Sequence, residues 1–109
     1  MAETLKNLAQ IAPAAQTLTT LYAVPPGVQA SVSSFVACNR GVEAMRFRLA
    51  HAVSGAPDGV AQYLYYDEWV PPNKTFIATI GLTLSAADVL RVYSNTGTAS
   101  FNLYGAELT

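Results

Sequence analysis

Apolar and polar side chains alternate from Val28 to Asn39: Val28, Ala30, Val32, Val36 and Cys38 share one parity, and Gln29, Ser31, Ser33 and Asn39 the other. A period of two is the pattern of a β-strand with one buried face. Phe35 interrupts the polar set, which predicts a ring packed under a loop or against another subunit. A second Thr- and aromatic-rich run, Thr17 to Ala23, precedes it, and Val24-Pro25-Pro26-Gly27-Val28 joins the two. Two fixed φ angles followed by a residue free to take φ > 0 force a corner there.

The same rule repeats downstream. Ala44 to Val53 alternates, with Met45, Phe47, Leu49 and His51 predicted inward and Arg46 and Arg48 outward. Ser54-Gly55-Ala56-Pro57-Asp58-Gly59 collects turn formers and reads as a surface loop. In Gln62 to Val70, Tyr63, Tyr65 and Trp69 oppose Leu64, Tyr66 and Val70, so either choice of inward face leaves rings on the other. Val70-Pro71-Pro72-Asn73-Lys74 repeats the earlier corner with asparagine in the glycine position, a residue that tolerates left-handed backbone. Phe76, Ala78, Ile80, Leu82 and Leu84 then share a parity. A bend at Ser85 to Asp88, a run Val89 to Ser94, a hairpin loop Ser94 to Thr98 and a last strand Ala99 to Leu108 complete the chain. Seven strands are predicted, with an eighth possible near the N-terminus.

Residues 1–15 differ. Leu5, Leu8 and Ile11 are spaced for a short helical face that Pro13 ends, predicting about two turns of helix, too short to be stable alone. This segment is therefore expected to be an N-terminal arm that docks on its own domain or a neighbour, with an extended arm crossing to another subunit as the competing form. Residues 16–109 are expected to form a single domain. Short strands separated by turn signals, with no amphipathic helix between them, indicate an all-β antiparallel β-sandwich or small barrel. Strand spacing alone leaves jelly-roll and immunoglobulin-like topologies both open; long final strands and the arm favour a jelly-roll-like sandwich.

Composition changes this picture in one respect. Charged residues make up 12% of the 109-residue chain and apolar ones 51%, against a usual charged share of about 25%. A small body so short of charge is expected to expose neutral or apolar patches of the kind that partners cover. The alternative is a monomer coated in Thr, Ser, Asn and Gln. A net charge of −1 with scattered Lys and Arg supplies no basic stripe for nucleic acid. No leader-like N-terminus and no membrane-length apolar run are evident, so a soluble, unprocessed chain is expected. Cys38 is the single cysteine, which excludes an internal disulfide, fits a reducing cytosol and in this register predicts a small core residue.

Chemistry is sparse. His51 is the one histidine, and its parity groups it with core residues. Asp67 and Glu68 are adjacent on a strand and point to opposite faces, so they cannot flank one bond together. Asp58, Asp67, Glu68 and Asp88 lack the spacing of a calcium loop, and no phosphate loop or nucleophile elbow is present. No catalytic, cofactor-binding or metal-binding residues are predicted, and the chain is not expected to be an enzyme. Tyr and Trp combine large apolar area with a polar tip and suit protein interfaces or sugar stacking. The predicted interface residues are Leu5, Leu8, Ile11, Phe35, Tyr63, Tyr65 and Trp69.

The segments TLTTLYAVPPGV, ACNRG, QYLYYDEWVPPNKTFIATIGLTLSAADVLRVYSN and FNLYGAELT together resemble a group of small structural proteins of tailed bacteriophages, over about Ala14 to Thr109. These are strand and turn residues, so no catalytic residue is carried over. The resemblance implies a virion component made in the host bacterial cytoplasm, without cofactor, membrane or nucleic-acid partner. It implies a homo-oligomer on the capsid or the tail; low charge, the Leu5, Leu8 and Ile11 segment and the surplus rings favour, of the two, a trimer acting as a capsid decoration or cement protein beside partners such as the major capsid protein. The alternative it leaves open is a tail or baseplate component bearing on host attachment through a carbohydrate.

Overall fold

The computed structural model describes residues 2–109, which contain nine strands: β1 (Glu3–Ile11), β2 (Thr19–Ala23), β3 (Gln29–Asn39), β4 (Met45–Ala52), β5 (Tyr63–Val70), β6 (Thr75–Ala78), β7 (Leu82–Leu84), β8 (Val89–Ser94) and β9 (Ala99–Leu108). All pairings are antiparallel and make two sheets. One runs β1-β9-β3-β6, with β7 pairing further along β3; the other runs β2-β8-β4-β5. The inner faces pack on each other as a β-sandwich, closing over Phe35, Phe47, Phe101, Met45, Leu49, Leu84, Leu90 and Leu103, all fully buried. Five rings form its centre: Phe35, Phe47, Phe76, Phe101 and Tyr65 lie with centroids 5.1 to 6.4 Å apart.

Both proline corners form as their sequences require. Val28 N–H donates to Pro25 O at 3.2 Å and Lys74 N–H to Pro71 O at 3.3 Å. The third residue of each turn is left-handed, Gly27 at φ 74° and Asn73 at φ 58°, the arrangement that a proline at the second position selects.

Three expectations are corrected by bulges and by pairing. Residues 3–11 are neither a helix nor an arm that leaves the domain: they are β1, the edge strand on β9, from Glu3 opposite Leu108 to Ile11 opposite Phe101. The helical spacing of Leu5, Leu8 and Ile11 mimics a strand broken by a bulge between Asn7 and Ala9. That bulge turns Leu8 into the core while Leu5 stays out, at 78% exposure. In β3 a bulge between Val32 and Ser34 reverses the alternation. Phe35 consequently sits wholly inside, and Cys38, expected in the core, is half-buried opposite Thr75 and Ser100 on the outer face. In β5, Asp67 adopts φ 55°, and the pairing with β4 slips between Tyr65 and Glu68. Tyr65 then points in with Leu49, while Tyr66 and Trp69 point out.

Candidate interaction surfaces

The outer faces of the two sheets differ in chemistry. In the β1-β9-β3-β6 sheet, β3, β6 and β7 contain no charged residue, β9 contains only Glu107, and β1 contributes Glu3 and Lys6 at the margin. Glu107 is turned toward the other sheet: it accepts the Tyr22 hydroxyl at 2.6 Å and pairs with Lys6 at 3.0 Å. These two donors hold its carboxyl below the ordinary glutamate range against the opposing effect of burial. Burial and the hydrogen bond to Glu107 together push the Tyr22 phenol well up.

Apart from Glu3, which shares the outward parity of Leu5 and Asn7 on the β1 edge, what remains on this outer face is neutral. Asn102 Oδ1 accepts from Asn7 at 3.3 Å and from Gln10 at 2.8 Å, an amide ladder across β9 and β1. Around it stand Leu5, Ile77 (65% exposed) and Tyr104, with Val36 and Cys38 along β3. The bulges of β1 and β3 meet on either side of Tyr104, beside an open depression of about 540 Å³ lined by Ser31, Ser33, Tyr104, Gly105 and Ala106, with Glu3, Leu5 and Lys6 along its β1 side.

The β2-β8-β4-β5 sheet carries the charges. The Arg48 guanidinium lies 4.2 Å from the ring centre of Tyr66 and 4.4 Å from that of Tyr93, a stack favoured by the ring quadrupoles. Its Nε and Nη2 donate to the two Asp67 oxygens at 2.7 and 3.4 Å, and the Asp67 carboxylate raises the Arg48 pKa further. Tyr63 meets Tyr66 edge-to-face at 5.0 Å and donates its hydroxyl to Asp58 at 2.9 Å. Burial, then the Asp58 carboxylate, lifts the Tyr63 pKa. Arg46 and Trp69 pair across β4 and β5 on the same face.

Of the seven residues predicted for an interface, Leu5 and Trp69 are exposed, and Ile11 and Tyr63 are half-buried at opposite ends of the two sheets. Phe35 and Leu8 are buried in the core of the protomer, so they have no ring or methyl to offer a neighbour, and Tyr65 is half-buried with its ring packed against that core. Sequence alternation missed Ile77, Tyr104 and Tyr66. The single-residue bulges that turn the first flanking positions over leave no mark on composition.

His51 is a bracket in this fold. Its Nε2 lies 2.9 Å from Asp88 Oδ2, and Asp88 also accepts the backbone N–H groups of Ser54 at 2.8 Å and Ser85 at 3.1 Å. The carboxylate thus ties the loop after β4 to the bend before β8. Burial would raise the Asp88 pKa, but these three donors outweigh it and the pKa is lowered. The sign follows from linkage: a carboxyl with a depressed folded pKa stabilises the fold above the unfolded value of about 3.9, and that stabilisation is lost as pH falls below it. Asp88→Asn should lower stability by about 1–3 kcal/mol at neutral pH and flatten the acid limb of thermal melts recorded from about pH 6 down to about pH 3. An unchanged acid limb would show that Asp88 is not the group that titrates.

Among the described residues, no cluster of three His, Cys, Asp or Glu side chains is placed to hold a metal ion, and no helix is long and apolar enough to cross a membrane. The chain matches no protein-family model and no curated protein.

Proposed function

We propose that this chain is a non-enzymatic structural protein of a tailed-phage virion, a jelly-roll sandwich that assembles as a homo-oligomer and decorates the capsid. The observation that carries this reading is the uncharged outer face of the β1-β9-β3-β6 sheet. Interface cores are depleted in charge because ions lose hydration when covered, and here the charges on or beside this face are confined to Glu3 and Lys6 of its edge strand, leaving β9, β3, β6 and β7 to present a neutral surface. A standard interface takes about 800 Å² from each partner, which a face of a body measuring 45 × 27 Å in its long dimensions can supply.

Strand pairing supports the jelly-roll part. With β6 and β7 counted as one interrupted strand, the chain is a single antiparallel ribbon whose rungs are β1 with β9, β2 with β8, β3 with β6 and β7, and β4 with β5. Successive rungs fall alternately in one sheet and the other. Rolling such a ribbon brings β9 onto β3 and β8 onto β4, and gives two sheets with Greek-key connections. The resemblance of the strand and corner segments to small phage structural proteins supports the virion part. The non-enzymatic part is supported by the structural use of the His51–Asp88 pair, which ties the loop after β4 to the bend before β8.

The test is the mass in solution. Sedimentation equilibrium of the full chain at micromolar concentration should give a multiple of the 11.6 kDa protomer, with three copies expected. Leu5→Asp combined with Ile77→Asp, both at exposed positions, should leave the melting temperature of the protomer in place and raise the dissociation constant by about 100-fold or more. A wild-type protein that sediments as a protomer and fails to bind phage shells would overturn the proposal.

A further inference from the structure

The charged face has no part in the assembly proposed above, yet it exposes more ring than folding needs. Tyr66 is 59% exposed and Trp69 56%, while Tyr63 and Tyr66 wall an open cleft of about 380 Å³ with Val60. This volume falls within the range of small-ligand sites, about 300–1,000 Å³. The rings are already set. The Arg48 guanidinium lies over one face of Tyr66, Tyr63 meets Tyr66 edge-to-face beside the cleft, and Arg48 is fixed in turn by Tyr93 and both oxygens of Asp67. A platform ordered before binding loses little entropy when a ligand arrives.

We infer that this cleft binds a pyranose unit of a neutral or amino-sugar polysaccharide, stacked on Tyr66 and hydrogen-bonded at its rim by Asp58 and Arg48. The occupant follows from the chemistry. A pyranose has an apolar face of C–H groups that suits an aromatic ring, and a girdle of hydroxyls that both donate and accept. The platform offers a ring face next to a carboxylate acceptor and a guanidinium donor, all still in contact with water. A protein partner would have to strip the remaining hydration from Arg46, from Asp58 and from the Arg48–Asp67 pair, which is unfavourable unless their free donors and lone pairs are met. Sugar hydroxyls replace that hydration group for group. The site lies on one protomer and does not depend on the assembly reading: a chain that proved monomeric would still carry it.

Trp69 is the single tryptophan of the chain and shares the outer face of β5 with Tyr66, so its fluorescence serves as a reporter. The probes are a neutral purified bacterial O-chain polysaccharide and peptidoglycan glycan fragments, titrated into the protein and run in parallel on a glycan array, with anionic teichoic acid as a control not expected to bind. Saturable binding of at least one probe is expected, weakened about tenfold or more by Tyr66→Ala and retained by Tyr66→Phe, which keeps the ring. Leu5→Asp with Ile77→Asp on the opposite face should leave this binding unchanged. Absence of binding to every probe, or binding that Tyr66→Ala leaves intact while the variant melts like the wild type, would overturn the inference.

Discussion

Replacing Asn39 with leucine should destabilise the protein by about 3–5 kcal/mol, at the upper end of single-residue effects. Asn39 is fully buried at the end of β3. Its Nδ2 donates to Glu43 O at 2.7 Å and to Val70 O and Pro71 O at 3.2 Å each. Its Oδ1 accepts from Gly41 N–H at 2.9 Å and from the Thr98 hydroxyl at 3.1 Å. One side chain thus ties together the loop before β4, the proline corner after β5 and the turn before β9. Leucine has a similar branched outline but is larger and carries no polar atom, so it would crowd the site and break all five bonds; the Thr98 hydroxyl would keep Thr96 as a partner, and each of the other groups left unpaired costs about 1–3 kcal/mol before relaxation. Asparagine is required by the pairing: three carbonyls on one side need hydrogens, and two donors on the other need a lone pair. Asn39→Asp keeps the acceptor and loses the donor, so it should rescue little. For a chain of this size, thermal melts should show a fall in melting temperature of about 12–25 °C for Asn39→Leu; a fall of only a few degrees would show that the loops hold without it.

Gly105→Ala should cost a comparable amount, about 3 kcal/mol or more, by a different mechanism. Gly105 lies in β9 between Lys6 of β1 and Val32 of β3, beside the bulges in both neighbours. A methyl group there would collide with the Ser31 carbonyl oxygen and stand 3.0 Å from Val32 Cα. Both are main-chain atoms of a paired strand and cannot swing aside. Two other glycines calibrate the claim. Gly27, at φ 74° with open space around it, should lose only about 1 kcal/mol on change to alanine. Gly81, in open space without a positive φ, should be neutral or slightly stabilised by the same change. If urea unfolding ranks Gly105→Ala with Gly81→Ala, the close approach of β3 to β9 is wrong. The consequence reaches function, because this approach shapes the depression on the neutral face.

The all-β class, both proline corners, most strand boundaries and the shortage of charge were legible in the residues themselves, because each rests on local chemistry. Asn73 took the left-handed position that Gly27 holds in the matching corner because the two corners share a turn geometry. What alternation could not reveal is where its count slips. Phe35 looked out of place only because one extra residue in β3 turns the parity over, and the same slip carried Cys38 from the expected core to the outer face. Tyr65 and Trp69 share one parity in the sequence but fall on opposite faces because of the left-handed backbone at Asp67. Leu5, Leu8 and Ile11 read as a helix because a bulged strand and a helical turn can place three aliphatics at the same spacing. The uncharged face is a product of pairing. β3, β6 and β7 are neutral in the sequence, but only the order β1-β9-β3-β6 brings them together into one surface.

Cys38 offers the most direct test that protein, rather than water, covers this surface. It is the single cysteine and lies half-buried beside Thr75 and Ser100 on the neutral face, so a thiol reagent reports on that face alone. In the wild-type protein at micromolar concentration, labelling should be at least about tenfold slower than in the Leu5→Asp, Ile77→Asp variant, with both proteins fully folded. Equal and rapid labelling of the two, with the wild type sedimenting as a protomer, would contradict the account.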